Sequence, residues 1–345
     1  MGQVFHPRAW YILCRSADLK RGARRVWSLY GQPLMAVRGR DGVAHVLVDR
    51  CPHRNVPLSL GRYDGETIRC GYHGWTFAPS GVCTGVPGLA PERTLPTSCV
   101  PSHKVMEQQG FLWVWGVAGE EPEGQPYRFA CVEDPRYLVV RKSLSSPGTL
   151  QMVAENALDV PHTAFLHGGL FRNDRKREPV ACSVRTGSDY TECVFEGERR
   201  PSGLAGWLLS PGGGELEHVD RFVLPGVVIV EYRIGTESHL LLQGALTPVD
   251  QETTVMHACV VVRTLLPKWL VRPIVQPIAL RIFGQDQKIL RHQMDARLRD
   301  GEVRDVSTVL DVLGPGIERL LRRAARGEVD LTDDAVRTRR LEMWL

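Results

Sequence analysis

The sequence predicts an α+β protein, in which a small antiparallel β domain is followed by a larger domain with an antiparallel sheet flanked by helices. Its 345 residues exceed the usual size of one compact core and favour two domains. Short β-rich runs separated by turn residues fill the first third, whereas the longest helical pattern, residues 278–300, lies near the C-terminus. These patterns favour a different architecture for each part.

The first domain is predicted from three apolar runs between Trp10 and Trp115, "PLMAVRG", "VAHVLVDR" and "GFLWVWG". Gly, Pro and Asp residues separate these runs, as is typical of short antiparallel strands joined by turns. The segment Gly116–Ala130 is rich in Gly, Glu and Pro without periodicity, which indicates a linker. We therefore expect one domain at residues 1–125 and a second at residues 126–345.

The second domain opens with the helical pattern "SPGTLQMVAENALDVPHTAFLH", in which Ser146 and Pro147 supply helix-start signals. The runs "YTECVFEG", "DRFVLPGVVIVEYRIG", "HLLLQGALTPV" and "TTVMHACVVVRTLL" predict successive strands. Ile278–Asp300 predicts the longest helix, and "VLDVLGPGIERLLRRAARG" predicts a broken helical tail. A sheet with helices packed on it therefore accounts for the second domain.

Composition and charge exclude several classes of protein. The formal charge is +4, and Lys and Arg are dispersed, so nothing indicates nucleic-acid binding. The most apolar region, Val260–Phe283, contains four cationic residues and three prolines, so it is not expected to span a membrane. The N-terminus lacks the apolar core of a signal peptide, and nine cysteines are an odd number for a disulfide framework. We expect a cytoplasmic protein.

Two short clusters in "CPHRNVPLSLGRYDGETIRCGYHGW" combine thiols with imidazoles. Cys51 and His53 form the first cluster, and Cys70 and His73 form the second. Two thiolates and two neutral imidazoles fit either structural zinc or a [2Fe-2S] cluster with Cys on one iron and His on the other. Zinc fingers usually take one ligand type from each cluster, whereas here each cluster mixes the two. The alternation favours the iron-sulfur cluster.

A second polar group interrupts an otherwise apolar helical run at Asn156, Asp159, His162 and His167. On an ideal helix Asp159 and His162 share a face, whereas the two histidines lie ~140° apart and converge only across a distorted turn. Pro161 could cause such a distortion. Taken alone, two histidines near a helix end are more often satisfied core or helix-capping residues than metal ligands.

Asp286 falls within an apolar stripe of the long helix that includes Ile282, Phe283, Ile289 and Leu290. A carboxylate on an apolar face needs a partner, which could be a buried arginine or a metal ion. Two histidines and one carboxylate make the facial triad of non-haem iron(II) oxygenases, which leaves coordination positions open. His162, His167 and Asp286 fit that triad.

The motifs "CPHR" and "CGYHGW" resemble the Rieske signature C-x-H and C-x2-H, and the N-terminal third is similar to a Rieske domain. The resemblance implies that Cys51 and Cys70 bind the buried iron and that His53 and His73 bind the iron nearer the surface. Gly71 stands where many relatives have Pro. The nearby arginines are either solvated loop residues or a basic rim that docks an acidic ferredoxin or reductase; they are Arg54, Arg62 and Arg69.

The pattern D-x2-H-x4-H followed by a distant acidic residue resembles the catalytic domain of Rieske non-haem iron oxygenase α subunits. The similarity is to the oxygenase-only branch, in which α subunits form trimers, and it is weakest over residues 181–217. It implies that Asn156 lies close to the iron and that Asp159 bridges its own His162 to His73 of a neighbouring subunit. It also implies electrons from NAD(P)H, delivered by a separate reductase and in some systems a ferredoxin.

The expected function is oxygen activation at a mononuclear Fe(II) that hydroxylates, demethylates or otherwise oxidises an aromatic or polycyclic molecule. The same chemistry also serves desaturation and oxidative cyclisation in natural-product biosynthesis. An electron carrier without oxygenase activity and a zinc-stabilised binding protein remain as alternatives. Apolar residues from the middle of the chain are expected to form the pocket wall or the core: Phe165, Leu166, Leu170, Trp207, Leu224, Val228 and Val230.

Overall fold

The computed structural model describes residues 4–168, 177–198, 214–236, 238–301, 305–330 and 335–345. The chain divides into two compact units, one formed by Pro7–Arg128 and the other by Met1–His6 together with Phe129–Leu345. Both contain antiparallel sheets, and helices pack in the second, so the predicted fold class is confirmed. No helix of the described residues is long and apolar enough to cross a membrane.

The smaller unit contains three antiparallel sheets, with strand orders β1-β11-β10, β2-β3-β4-β9 and β5-β6-β7-β8. Its strands are β1 (Trp10–Arg15), β2 (Arg24–Leu29), β3 (Gln32–Arg38), β4 (Ala44–Val48), β5 (Arg62–Tyr63), β6 (Ile68–Arg69), β7 (Thr76–Phe77), β8 (Cys83–Gly85), β9 (Ser102–His103), β10 (Val105–Gln108) and β11 (Phe111–Trp115). Single 3-10 turns lie at Ser16–Asp18 and Leu58–Leu60.

Strand β3 is buried on both faces, which explains its unbroken apolar run. Leu34 and Ala36 pack into one core cluster, whereas Met35 and Val37 pack into another. This alternation follows from the two-residue period of a strand. The second cluster also contains Cys51 and Cys70, so this core positions both cysteine loops.

The larger unit is built on one antiparallel sheet of order β12-β18-β17-β16-β15-β14-β13-β19. Its strands are β12 (Leu138–Pro147), β13 (Pro179–Thr186), β14 (Tyr190–Glu196), β15 (Leu216–Val223), β16 (Val227–Ile234), β17 (Ser238–Pro248), β18 (Thr253–Arg263) and β19 (Arg337–Trp344). The described helices are α1 (Leu150–Leu158), α2 (Thr163–Leu166), α3 (Lys268–Asp300) and α4 (Gly314–Ala325).

Two predicted helix boundaries were wrong. Ser146 and Pro147 end strand β12, and helix α1 is capped instead by Thr149, whose hydroxyl accepts a hydrogen bond from the Met152 N–H at 3.2 Å. Helix α3 begins ten residues before the predicted start, at Lys268, and runs through Pro273 and Pro277. Packing of Val271 and Val275 into the core of this unit outweighs the unfavourable helix propensity of the two prolines.

A buried ion network lies within the sheet of the larger unit. His218 is 0% exposed, and its Nδ1 and Nε2 lie 2.7 Å and 3.0 Å from carboxylate oxygens of Glu198 and Asp220. Its ring stacks between Phe195 and Tyr232, with centroids 4.4 Å and 4.1 Å away. Burial favours the neutral ring, but the two carboxylates outweigh it and raise the pKa of His218 to about 9.

We expect the melting temperature of the larger unit to fall as the pH rises from about 6.5 to about 9. A histidine whose folded pKa is raised contributes stability that is complete below its unfolded pKa and is lost as the pH rises through its folded pKa. The shift of His218 from 6.5 to about 9 corresponds to about 3 kcal/mol. Thermal unfolding across this range should show a flatter profile for His218→Gln, whereas His292→Gln, at an exposed position, keeps the wild-type profile. An unchanged profile in His218→Gln would contradict the assignment.

Candidate functional site

The first cysteine loop is closed by two backbone hydrogen bonds. The Cys51 N–H donates to the Val56 carbonyl at 2.8 Å, and the Cys51 carbonyl accepts from the Asn55 N–H at 2.9 Å. Asn55 has φ 60°, the left-handed conformation that Asn tolerates better than most residues. The loop thereby turns back and carries His53 next to the buried cysteine.

The second cysteine loop repeats this arrangement. The Cys70 N–H donates to the Trp75 carbonyl at 2.8 Å, and the Cys70 carbonyl accepts from the Gly74 N–H at 3.2 Å. Gly74, at φ 70°, takes the left-handed position that Asn55 takes in the first loop. Two loops of the same backbone design therefore present one thiol and one imidazole each.

A glycine lets these loops lie side by side. A Cβ added to Gly61 would come within 1.9 Å of the Arg69 carbonyl oxygen and 2.9 Å of the Gly71 nitrogen. No side chain fits at such distances. Gly61 lies just before β5, and its lack of a side chain lets the backbone there pack against Arg69 and Gly71. These two residues flank Cys70, where the second loop begins.

The two imidazoles converge, with ring centroids of His53 and His73 4.5 Å apart. Trp75 stacks on His53 at 4.7 Å, and Tyr72 lies against His73 at 3.9 Å. The His53 Nδ1 atom is buried without a hydrogen-bond partner. A buried nitrogen with a free lone pair is costly unless it binds something, so this atom fits a metal ligand.

The thiol environment also fits a cluster. Burial raises the pKa of Cys51, while the backbone N–H groups of His53 and Arg54 lower it by stabilising the thiolate. Burial and the neighbouring His73 lower the pKa of His53 and favour its neutral, metal-binding form. The four side chains could hold a [2Fe-2S] cluster with Cys on one iron and His on the other.

The three arginines near these loops are exposed. Arg62 and Arg69 lie directly opposite each other in the β5–β6 pair. Like charges in directly opposed cross-strand positions destabilise a sheet. The structure therefore places two of the three arginines side by side at the surface of this unit.

The second candidate site is built on a single helical turn. His162 and His167 flank helix α2, and the His162 carbonyl accepts hydrogen bonds from the N–H groups of Phe165 and Leu166. This turn brings the two Nε2 atoms to 3.2 Å. The predicted distortion is a break between α1 and α2, at residues 159–162, rather than a bend in one helix.

Asp286, on helix α3, completes a group of three ligand atoms that lie within 4.8 Å of one another. Its Oδ1 lies 3.1 Å from His167 Nε2 and 3.7 Å from His162 Nε2. The group is largely shielded from solvent, since His167 is 3% exposed and Asp286 18%. Within the ranges described above, no other three ligand atoms of His, Cys, Asp or Glu lie this close together.

The electrostatics of this group favour a bound cation. Burial opposes charge on His162, but the carboxylates of Asp159 and Asp286 outweigh it and raise its pKa to about 9. For Asp286 burial raises the pKa, and the two histidines more than offset it and lower the pKa overall. Asp286 Oδ1 is buried without a hydrogen bond. Two imidazoles and a carboxylate in this geometry fit divalent iron with open positions.

Asp159 lies next to His162, and Asn156 lines the same cavity as the three ligands. Asp159 caps the end of α1, its Oδ2 is 3.5 Å from His162 Nδ1, and its side chain is 40% exposed. One face of this carboxylate is therefore available to another molecule. Asn156 lines the cavity described below, so the structure brings it to the same site as the histidines.

Sequence reasoning missed Gln285, whose Oε1 lies 3.0 Å from His167 Nδ1. By accepting a hydrogen bond from the Nδ1–H of His167, it leaves the Nε2 lone pair for a metal. Its position next to Asp286 in the chain was the only available signal. A polar residue adjacent to a ligand on a helix is too common to be singled out.

We expect Gln285→Leu to weaken iron binding about 10-fold to 100-fold, the usual effect of losing a hydrogen bond to a ligand histidine. The measurement is equilibrium titration of the metal-free protein with Fe(II) under anaerobic conditions. Gln276→Leu is the matched control, because Gln276 is exposed on the same helix. Equal affinity in Gln285→Leu and Gln276→Leu would show that Gln285 does not orient His167.

A cavity of ≈ 190 Å³ adjoins the three ligands. Its wall is mainly apolar and comes from β12, α1, β16, β17, β18 and α3. Within the described part of the chain no lysine or arginine lines it. Its polar lining residues other than the metal-binding group are Ser146, Asn156, Thr163, Tyr232 and Gln287.

Of the expected wall residues, Val230 lines the cavity. Val228 is buried in the core, and Phe165 is 65% exposed. Leu166 and Leu224 do not line the cavity either, and Leu170 and Trp207 lie outside the described residues. The prediction of an apolar stripe around Asp286 was also wrong at one position, because the side chain of Ile289 is 45% exposed.

Two protein families match this chain. Residues 9–104 match the Rieske [2Fe-2S] domain, and residues 147–327, more than half of the chain, match the vanillate O-demethylase oxygenase C-terminal domain. The first family covers both Cys-His loops. The second covers the three candidate iron ligands, most of the cavity wall and helix α3.

Individual relatives agree with these matches. The iron-sulfur subunit of the toluene-4-sulfonate monooxygenase system of Comamonas testosteroni is 28% identical over 48% of this chain, and the match spans 47% of that relative's length. The vanillate O-demethylase oxygenase subunit of a Pseudomonas species is 22% identical over 96% of this chain and 98% of its own. Dicamba monooxygenase bound to 3,6 dichlorosalicylic acid shares the fold, with a TM-score of 0.76 and 21% identity over 94% of this chain and 99% of its own.

Proposed function

Because this chain belongs to the Rieske non-haem iron oxygenases with a vanillate O-demethylase type of catalytic domain, we propose that it is an oxygen-activating monooxygenase acting on an aromatic molecule. The observation that carries the proposal is the convergence of His162, His167 and Asp286 beside an apolar cavity. An electron carrier would need neither the triad nor the cavity.

We assign the electron-transfer role to residues 1–125 and the oxygen chemistry to residues 126–345. In the first, Cys51, His53, Cys70 and His73 hold the [2Fe-2S] cluster. Two neutral histidines reduce the negative charge around the cluster and raise its reduction potential above that of all-cysteine clusters. Electrons originate in NAD(P)H and arrive through a separate reductase, with or without a ferredoxin, that docks on the basic rim.

In the second, His162, His167 and Asp286 would hold Fe(II), which when bound supplies the activation of O2. Gln285 holds His167 in the orientation that directs Nε2 to the metal. Asp159 orients His162 and provides the path by which electrons pass from His73 of a neighbouring subunit to His162. Asn156 lines the cavity near the ligands and offers the substrate a hydrogen bond. The apolar wall excludes water from the reacting centre.

The cavity favours an uncharged aromatic substrate. An apolar cavity of about 150 Å³ accommodates benzene, so ≈ 190 Å³ fits one substituted ring or a compact fused pair. Burying a carboxylate without a cationic partner is costly, and no cationic side chain in the described residues lines this cavity. Hydroxylation and demethylation are the reactions proposed, in keeping with relatives named for vanillate O-demethylation and dicamba monooxygenation.

Assembly and location complete the proposal. A homotrimer would place His73 of one subunit beside Asp159 of the next, which requires the exposed face of the Asp159 carboxylate. None of the nine cysteines is in a disulfide, which supports a reducing compartment, and an NAD(P)H-dependent reductase points to the cytoplasm. Relatives named as a subunit or component of an oxygenase system also indicate separate electron-transfer partners.

The function is tested by single turnover without any partner protein. Chemically reduced protein is mixed with 18O2 and with methoxybenzene or methoxybenzoate, and products are identified by mass spectrometry. We expect label incorporation or demethylation with the neutral ether and little with the carboxylate. Cluster reoxidation without a labelled product from any neutral aromatic compound would contradict the monooxygenase assignment, and faster turnover of the carboxylate would contradict the substrate class.

A further inference from the structure

The first half of helix α3 is apolar on two opposite faces. Val271 and Val275 are buried in the core of the larger unit. On the opposite side Trp269 is 77% exposed and Leu280 39%. With 3.6 residues per turn, Trp269, Pro273, Gln276 and Leu280 fall on one stripe, which we call the outer stripe and which also includes Pro277 at its edge. Gln276, which is exposed, is its one polar member. A helix that is apolar all round is normally covered on all sides.

The outer stripe is flanked by cations. Arg272 lies on one side of the stripe and Arg281 on the other, both exposed, and Lys268 lies at the start of the helix. The segment from 264 to 283 contains no Asp or Glu. Lys268 donates a hydrogen bond to the Pro135 carbonyl, in a segment whose Asp134 is already paired with Arg136 at 2.6 Å. The patch is therefore both apolar and positively charged.

The second half of the same helix has an ordinary surface. At the corresponding outward positions it carries Lys288, Arg291 and Asp295, all exposed. The change occurs within one continuous helix, so helix propensity does not explain it. The second half also exposes Ile289 and Leu298, but each of these is next to a charged residue in the chain. The outer stripe lies on the half whose inner face, through Val275, Ile278 and Ile282, forms a wall of the cavity.

We propose that the outer stripe, together with Leu265 at its N-terminal end, docks on the surface of an anionic lipid bilayer. Tryptophan favours the boundary between headgroups and acyl chains, and cations beside an apolar helix face bind anionic headgroups. Leu265 is 59% exposed next to this face. The helix lies in the plane of the surface and does not cross it. An anionic bilayer accounts for both features of the patch, its exposed tryptophan and leucines and its cations without an acidic residue in the segment from 264 to 283.

The test is co-sedimentation of the complete protein with lipid vesicles. Wild type should bind phosphatidylcholine vesicles containing about 30% phosphatidylglycerol, and binding should weaken with added salt and with neutral vesicles. Replacing the apolar anchors, in Trp269→Ser with Leu280→Ser, should abolish binding. Replacing two cations, in Arg272→Gln with Arg281→Gln, should weaken binding to anionic vesicles about fivefold for each charge.

Trp344→Ser is the matched control, because Trp344 is 63% exposed on strand β19 of the same unit, and it should bind as wild type does. None of the substituted residues lines the cavity, so the visible spectrum and melting temperature should be unchanged. Failure of wild type to sediment would overturn the proposal. If the stripe is instead covered by a second copy of this chain, Trp269→Ser with Leu280→Ser would lower the mass measured by light scattering without vesicles, which would also overturn it. Vesicle binding needs no turnover, so its outcome is separate from that of the proposed function.

Discussion

Replacing Asp286 with alanine is expected to remove the mononuclear iron and abolish turnover, while the iron-sulfur cluster remains. Asp286 is the only anionic member of the triad, and its Oδ1 is buried without a hydrogen bond. Two neutral imidazoles alone bind Fe(II) weakly, because the carboxylate supplies the charge that compensates for its dehydration. Iron should fall from about three to about two atoms per chain, with two sulfides retained.

The measurement combines iron and sulfide analysis with the visible spectrum after anaerobic Fe(II) reconstitution. Asp295→Ala is the control, since Asp295 is exposed on the same helix, and it should retain the wild-type iron content. A variant at Asp286 that keeps all of its iron would remove this residue from the site. A wild type that contains one zinc and no sulfide would remove the oxygenase proposal altogether.

The Cys-His loops could be predicted because their chemistry is local. Cys51 and His53 lie within one turn, and so do Cys70 and His73. Each turn is closed by backbone hydrogen bonds, which require only Asn or Gly at the fifth position of the loop. The pairing of one Cys with one His in each loop therefore carried most of the information needed to predict the four cluster ligands.

The iron site was harder to predict, because its geometry depends on a distant helix. The ~140° separation of His162 and His167 on an ideal helix argues against a common site, and the break after α1 reverses that conclusion. Asp286 was recognisable as a carboxylate among apolar neighbours, but its distances to the histidines are set by packing between α3 and the rest of the unit. Gln285 has no sequence signal of its own.

The cavity wall was the least predictable feature. Alternation along a strand says which residues share a face but not which part of that face is covered by a helix. Val228 and Val230 share a face of β16, yet Val228 packs in the core and Val230 lines the cavity. The final strand β19, which pairs with β13 at the sheet edge, was missed because its run of arginines does not resemble a buried strand.

Asp159→Asn is expected to retain both metal centres and lower the rate of electron transfer between them about 100-fold, near the upper effect of losing a carboxylate that supports a ligand histidine. The Asp159 carboxylate raises the pKa of His162 and lies 3.5 Å from its Nδ1. An amide of the same shape keeps the packing but loses the charge. Stopped-flow reoxidation of the reduced cluster by O2, with substrate present, measures this step.

Mixing two inactive variants tests whether Asp159 links different subunits. Asp159→Ala lacks the link but keeps its cluster, and His73→Ala lacks the cluster ligand but keeps Asp159. If electrons pass between subunits, oligomers assembled from both chains contain a junction in which an intact cluster faces an intact Asp159, and activity returns. If electrons pass within one chain, each chain remains defective and no mixture recovers activity. Recovery therefore requires transfer across a subunit boundary, and its absence in confirmed mixed oligomers would refute the bridging role of Asp159.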